Sequence, residues 1–448
     1  MEREVIVNEL APIIVNCSVS VLFSPSIAVS IPTRAMIPKA IMAIVSAALT
    51  RFDLIALNAT LTFSQNNVNP FTVLPSAKDG TKIHLFFISA SGTLTSFFTF
   101  ARVKTYIPST ERGIQAFAEL GSAMREGAAG ACTGAGRRFH ELIGTLYLSN
   151  PWFTPENVRL ALSAVGRTLT EENLTRWLSE YPELKEPRDP VTVGVVMAGN
   201  IPMVGFHDLL CVLISGNRLL ARLSTRDELL MRAVAVTLAE NEPAYDSIAG
   251  LTTDRLTGFG KVIATGSNNT SRYFEYYFRN VPSIIRKNRN SIAILDGTES
   301  DRELELLGDD IFSYFGLGCR NVTKLYLPQG YDPASLLPRW ERFESLRSHY
   351  RYMVNYDHHR AVMIVNRESY IDGRFIMLRE SSSLTPPMAV LHYEFYDTGQ
   401  GPYKSPEMSP DLLQCIAGHG HLPFGTTQQP ELWNYADNID TISFLLKK

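Results

Sequence analysis

The sequence predicts an α/β protein built on open, mostly parallel sheets. Three observations carry that expectation. From residue 191 onward, over about 140 residues, short apolar runs alternate with amphipathic stretches, as strand–helix–strand units do. The first run, Val-Thr-Val-Gly-Val-Val-Met at 191–197, is almost wholly apolar and rich in β-branched residues. A parallel strand covered by helices on both faces has that composition. Each run also ends in turn-forming residues: Asn200-Ile201-Pro202, Ser224-Thr225-Arg226 and Thr265-Gly266-Ser267. Ligands of such sheets lie beyond the carboxyl ends of the strands, where Asn200, Ser224 and Ser267 fall.

Composition narrows the function classes. The chain has 448 residues, 45% hydrophobic and 19% charged, enough for a large core in two or three domains. A net charge of −3 advertises no basic surface for nucleic acid or anionic lipid. Cys17, Cys132, Cys211, Cys319 and Cys415 are scattered and form no Cys-x-x-Cys pair, so neither a zinc site nor a disulfide framework is expected. A reducing cytoplasm fits that usage. The apolar stretch at 40–49 is too short for a membrane span, and Glu2 and Glu4 stand where a signal peptide carries basic residues.

Residues 1–102 differ from the rest. The first hundred carry roughly eleven charged side chains where the chain average gives roughly nineteen. Two readings compete: a small β-rich extension, or a segment that does not fold and lies outside the functional unit. The second is preferred, because the apolar content shows no clear strand alternation. Residues 103–295 are expected to hold N-terminal helices and a cofactor-binding domain. Stretches 110–126 and 138–148 read as amphipathic helices. Thr154-Pro155 and Thr170-Glu171-Glu172 read as helix starts, with threonine capping and proline at the first helical position. The charged, proline-bearing stretch 185–190 reads as a linker. Strands are expected at 191–197, 218–223, 260–264 and 291–295, with helices at 204–214, from 225 to near Glu240, and from 268 to 277. Residues 296–420 are expected to form a catalytic domain opening with a helix at 301–314. Shorter strands are expected at 361–366 and 374–378, although the first reads equally as a helix end. Residues 421–448 form a compact closing segment.

The chemistry centres on Phe-Gly-Leu-Gly-Cys-Arg-Asn at 315–321. Glycines on either side of Leu317 let backbone approach the Cys319 sulfur, and Arg320 is placed to favour its thiolate. A thiolate on such a turn suits attack on a carbonyl. A lone cysteine is more often a small buried hydrophobe, and from these residues alone the two readings stand level. Gly266-Ser267 at a strand–helix junction suits phosphate, a weak signal by itself. No Gly-x-Gly-x-x-Gly or P-loop signature occurs. The Asn200 amide can donate to an oxyanion, though turn asparagines are commoner. His358-His359 and His419-Gly420-His421 lack convincing ligand spacing, so no metal is expected.

Together these motifs resemble the aldehyde dehydrogenase superfamily, and most closely its LuxC-type acyl-CoA reductase branch, over about residues 107–446. The stretch from Val193 to Pro202 resembles the family's first strand and oxyanion asparagine. Gly216-Asn217 through Ser224 resembles its second strand, with Arg222 where lysine is usual. Gly266-Ser267 resembles the cofactor turn, the Cys319 segment the nucleophile, and Pro423-Phe424-Gly425 the closing motif. The resemblance implies an aldehyde-dehydrogenase-like fold with a cofactor-binding and a catalytic domain. It implies Cys319 and Asn200 as catalytic residues. Arg222, Ser224, Gly266, Ser267 and, offset in register, Glu380 are implied on the cofactor side. The implied cofactor is NADPH or NADH, with Arg222 favouring the 2′-phosphate of NADPH. The implied substrate is an acyl-CoA or acyl-carrier thioester, and a homodimer is the family's usual assembly. Hydrolytic members activate water with a glutamate; here the equivalent stretch, Arg-Lys-Asn-Arg-Asn at 286–290, has no acid, which favours a thiol partner over water. Basic residues there suit a coenzyme A phosphate or a solvated face. A hydrolytic aldehyde dehydrogenase and a non-reducing acyl-transfer or scaffold protein remain the alternatives.

Overall fold

A computed structural model describes residues 106–448 except 187, 398, 400, 403–405 and 448, together with five strands before residue 106. The chain divides into two compact units, Met1–Tyr106 and Ile107–Lys448. In the first, β1 (Val5–Val7) pairs antiparallel with β2 (Leu61–Phe63). Strands β3 (Thr72–Ser76), β4 (Lys82–Ile88) and β5 (Leu94–Ala101) form an antiparallel meander. Expectations for the remainder of residues 1–102 lie outside the described residues.

The second unit opens with four helices; three of their starts were legible, and the second begins at Gly134, four residues before the expected 138. Ser109 caps α1 (Thr110–Ala129), and Gly130 at φ +98° ends it, a conformation that glycine adopts without strain. After α2 (Gly134–Ser149), Thr154 caps α3 (Pro155–Thr168) and Thr170 caps α4 (Glu171–Leu178), each accepting the backbone N–H three residues on. Phe117, Leu120, Met124, Phe139 and Trp177 from these helices are buried in the first core.

That core also covers a parallel five-stranded sheet, β6 (Thr192–Val196), β7 (Arg218–Arg222), β8 (Ala249–Thr252), β9 (Lys261–Thr265) and β10 (Ser283–Arg286). The order is β10-β9-β6-β7-β8, so the chain reverses direction across the sheet between β6 and β9. Crevices at such reversals are where open sheets bind ligands. The connecting helices are α5 (Phe206–Ile214), α6 (Glu228–Asn241), α7 (Ala244–Ile248) and α8 (Asn268–Tyr277).

A second sheet of six strands has the order β13-β14-β15-β12-β11-β16. Its members are β11 (Asn290–Ile294), β12 (Val322–Pro328), β13 (Ile371–Asp372), β14 (Met377–Glu380), β15 (Val390–Tyr396) and β16 (Leu413–Gly418). All pairs are parallel except β13 with β14. Strand β11, expected as the fourth of the first series, pairs instead with β12 and β16. Helices α9 (Asp301–Phe312) and α10 (Tyr350–Asn366) flank this sheet. Of the two readings left level for 361–366, strand and helix end, the helix end therefore holds. Those residues finish α10, which buries Tyr352, Tyr356 and Met363 at helical spacing and leaves Ile364 and Val365 exposed.

The closing segment crosses back. Phe424 packs in the second core, whereas Leu432, Tyr435, Ile442 and Leu445 complete the first. Short helix α11 (Thr441–Leu446) starts at Asp440, whose carboxylate accepts the Ser443 N–H at 2.9 Å. No helix among the described residues is long and apolar enough to cross a membrane.

Candidate active site

Cys319 sits on a turn that no single local rule specifies. Helix α9 starts with a full capping box between Ser300 and Glu303. Beyond it Tyr314, Phe315 and Gly316 take φ values of +53°, +59° and +73°. Two successive non-glycine residues there carry strain of about 1–3 kcal/mol each and need outside support. Asn321, wholly buried, supplies it. Its amide donates to the Asp310 and Ser313 carbonyls at 3.1 and 2.9 Å, and its oxygen accepts the Gly318 N–H at 2.8 Å. The Ser291 hydroxyl donates to the Cys319 carbonyl at 3.0 Å. The closing segment ties on as well: Arg320 Nε donates to the Thr427 carbonyl at 2.6 Å, and buried Asp310 accepts from Gly425 N, Thr427 N and Thr427 Oγ1.

Asn200 faces this turn from the first sheet. Its amide donates to the Leu317 carbonyl at 2.7 Å, two residues from Cys319. The Asn200-Ile201-Pro202 turn ends at Met203, at φ +60°, whose N–H donates to the buried Asp227 carboxylate at 2.9 Å. Burial pushes the Asp227 carboxyl well up, opposed by the Met203 bond. At the β9–α8 junction, Ser267 caps α8, accepting the Thr270 N–H at 3.3 Å. Gly199 is needed for close approach: a Cβ there would stand 2.3 Å from the Ser224 hydroxyl.

Asn200, Ser224, Gly266, Ser267 and Cys319 all line one cleft of about 990 Å³. It opens between the carboxyl ends of β6 and β9 and the amino ends of β11 and β12. The nucleophile candidate thus precedes its strand, unlike the other residues. Two implied residues lie elsewhere. Arg222 is exposed, does not line the cleft, and directs Nε at the Thr253 carbonyl at 3.4 Å. Glu380 is exposed at the end of β14, paired in register with Tyr393, and also outside the cleft lining. The cation lining the cleft at the end of β7 is Arg226 instead. The N-terminus of the ten-residue helix α8, whose first backbone N–H groups lack helical partners, lines the same cleft as Ser224 and Arg226, and such groups can receive an anion.

Electrostatics correct two expectations. Cys319 is open to the cleft yet surrounded by protein, and burial pushes its thiol up. Arg320 pulls it down by less, while Asp437 and Cys415 push it further up. The resting group is therefore a thiol, because desolvation outweighs the arginine. The basic stretch has partners within the protein, although the Lys287 pair is open to solvent. Arg286 is buried in an ion pair with Asp208 at 2.9 Å, Lys287 pairs with Glu275 at 2.8 Å, and Arg289 with Asp437 at 3.3 Å. Nor is the cleft acid-free: Asp437 lines it from the chain's closing segment. Sequence reasoning missed Asp437, Asn321 and Asp227, since their partners lie far off along the chain or carry no motif.

The remaining cysteines and histidines lie elsewhere. Among the described cysteines, Cys132 is exposed and Cys211 buried, while Cys415 touches Ser291 Oγ at 3.1 Å. Cys17 lies outside the described residues. His358 and His359 lie on α10. His419 meets Asp296 at 2.9 Å and Glu303 at 3.0 Å, with Glu299 nearby, in an exposed group away from the cleft lining.

No family model matches this chain, and no curated protein does. Solved structures to which it is similar include aldehyde dehydrogenase 21 from Physcomitrella patens in complex with succinate. That match has a TM-score of 0.48 and 13% identity, over 66% of this chain and 70% of that one. A Mycobacterium tuberculosis aldehyde dehydrogenase complexed with NAD+ gives 0.45 and 14%, over 66% and 71%. An aldehyde dehydrogenase C mutant from Pseudomonas syringae, with NAD+ and octanal, gives 0.45 and 14%, over 66% and 69%.

Proposed function

We propose that this protein reduces an acyl thioester, an acyl-CoA or acyl-carrier conjugate, to an aldehyde through an acyl group held on Cys319. One observation carries the reading: a cysteine on a braced turn shares a cleft with the N-terminus of α8 and with the Asn200 amide. Cys319 Sγ attacks the thioester carbonyl. The Asn200 amide, held by Leu317, and the Cys319 backbone N–H receive the charge that develops on oxygen. The leaving thiol departs, and the acyl group stays on sulfur. NADPH or NADH, when bound, supplies the hydride that makes the product an aldehyde. Ser224, Arg226, Gly266 and Ser267 would hold it. The preference for NADPH loses its stated support, because Arg222 stands outside the cleft and Arg226 within it. Apolar side chains including Phe312, Phe315 and Ile376 line the same cleft and suit a fatty chain. A cytoplasmic homodimer completes the proposal.

The test mixes the protein with acyl-CoA and NAD(P)H and follows the reduced cofactor's absorbance. Thioester-dependent consumption that disappears in Cys319→Ala, with NAD(P)H binding retained, supports a reductase. Acylation without consumption identifies an acyl-transfer protein instead. Aldehyde-dependent reduction of NAD(P)+ with release of free acid identifies a hydrolytic dehydrogenase. Substantial thioester-dependent consumption by Cys319→Ala removes the cysteine from the mechanism.

A further inference from the structure

The thiol at Cys319 must lose a proton as it attacks, and the cleft has to supply an acceptor. Among the described residues lining the cleft there is no histidine, and the one carboxylate is Asp437. Arginines and a lysine make up the rest of its charged lining. Asp437 belongs to the turn Ala436–Asn438, where it and Asn438 take φ of +58° and +55°. That left-handed pair is strained for residues other than glycine, so the surroundings fix it. The Asp437 N–H donates to Gln414 Oε1 at 3.0 Å, and the carboxylate meets Arg289 Nε at 3.3 Å. The Lys287 backbone N–H also donates to it. Its side chain is only 9% exposed. A carboxylate this closely held, on the lining of the same cleft as Cys319, is placed for proton work.

Resting on the thioester-reductase reading, we propose that Asp437 takes the Cys319 proton during attack on the thioester and returns it to the leaving thiol. As the bond from Sγ to the carbonyl carbon forms, the proton passes from sulfur to the carboxylate, directly or through one bridging water. As the carbon–sulfur bond of the thioester breaks, its electron pair leaves on the departing sulfur, which collects that proton. Cys319 ends acylated, the free thiol ends protonated, and Asp437 ends ionised, so the step balances without a further reactant.

The charge on Asp437 bears on the ionisation of Cys319. Burial raises Asp437, while Arg289 and Arg286 lower it and Asp208 raises it. At Cys319, burial raises the thiol, Arg320 lowers it, and Asp437 and Cys415 raise it. The Asp437 carboxylate thus opposes a free thiolate until the proton moves. Removing it should make the sulfur easier to ionise yet worse at attacking thioesters. A merely structural residue would not split those two effects.

Asp437→Asn keeps the shape and tolerates the left-handed backbone. Three readouts are compared with wild type: thiol release from acyl-CoA, iodoacetamide alkylation of Cys319 across pH, and NAD(P)H binding by fluorescence. Thiol release should fall about 100-fold in Asp437→Asn and recover in part in Asp437→Glu. The alkylation profile should move to lower pH, and NAD(P)H binding should stay. Thiol release at the wild-type rate in Asp437→Asn would overturn the relay. So would release and alkylation falling together with Asp437→Glu no better, which marks a structural role. If the wild-type protein itself releases no thiol, the reductase reading fails, and the relay with it.

Discussion

Two strand–helix junctions meet at the cleft, and they are built in opposite ways. The β9–α8 turn is local: Ser267 accepts from Thr270, three residues on, and Gly266 packs under Phe274 and Thr270. Everything it needs lies within about ten residues, the span over which capping acts. The α9–β12 turn carrying Cys319 adds distant braces to the nearby ones from Asn321. Asn200 lies 117 positions away and Ser291 28, while Arg320 reaches 107 positions to Thr427. An anion site at a helix start needs only backbone N–H groups, which any capped helix supplies. A nucleophile needs a fixed sulfur and a fixed carbonyl oxygen position at once, and that takes supports from several elements.

The comparison can be broken where the braces converge. Asn321→Ala leaves the Gly318 N–H and several carbonyls without their buried partner. It should cost about 2–4 kcal/mol by denaturant unfolding and slow Cys319 acylation, while sparing NAD(P)H affinity. Equal losses at both sites would show that the junctions are not independent. Ser267→Ala sharpens the contrast from the other side. It should cost about 1 kcal/mol, weaken NAD(P)H binding several-fold and leave the alkylation rate of Cys319 unchanged. A slowed alkylation would mean that the two turns are coupled.

The smallest effect tests a support at the rim of the second sheet. His419 is raised to about 8 by its hydrogen bonds to Asp296 and Glu303. Asp296 is lowered to about 2, chiefly by Thr298, and Glu303 to about 2, chiefly by Ser300; His419 contributes to both. The histidine's contribution is complete below its ordinary value of 6.5 and lost as pH rises through about 8. The carboxylates' contribution is present above their ordinary values and lost as pH falls through about 2. The Tm difference between wild type and His419→Gln should therefore be widest between about pH 5 and 6.5 and vanish near about pH 9. Asp296 and His419 are exposed and Glu303 half-buried, so the shift should be small and fade in salt. A difference that grows above neutral pH would reject this assignment.

Much of the fold was legible because its signals are local. The caps at Thr154, Thr170 and Ser267 were read from residue type and spacing, and each accepts the N–H three residues on. The apolar run before Asn200 gave β6. Strand β15 was missed because His392 and Glu394 interrupt its apolar pattern, and Glu394 is there to pair with buried Lys324 on neighbouring β12. The strand reading at 361–366 failed because exposed Val362, Ile364 and Val365 mimic a β-rich run on the outer face of a helix. Cys319, Asn200, Ser224, Gly266 and Ser267, singled out by type, position and family resemblance, all line one cleft. Arg222 was singled out because sequence shows which residue ends a strand, not which side of the sheet its side chain takes.

By itself, the sequence determined the α/β class, the caps, and which sulfur and which amide deserved attention. Those depend on hydrophobic period, glycine placement and hydrogen bonds across three or four residues. Only the tertiary structure decided that the cleft's carboxylate is Asp437, that the Arg286–Asn290 cations are already paired, and that Cys319 rests as a thiol. Each of those outcomes turns on desolvation and on charges brought together from distant parts of the chain. Their strength depends on distance in space, which the order of residues does not record.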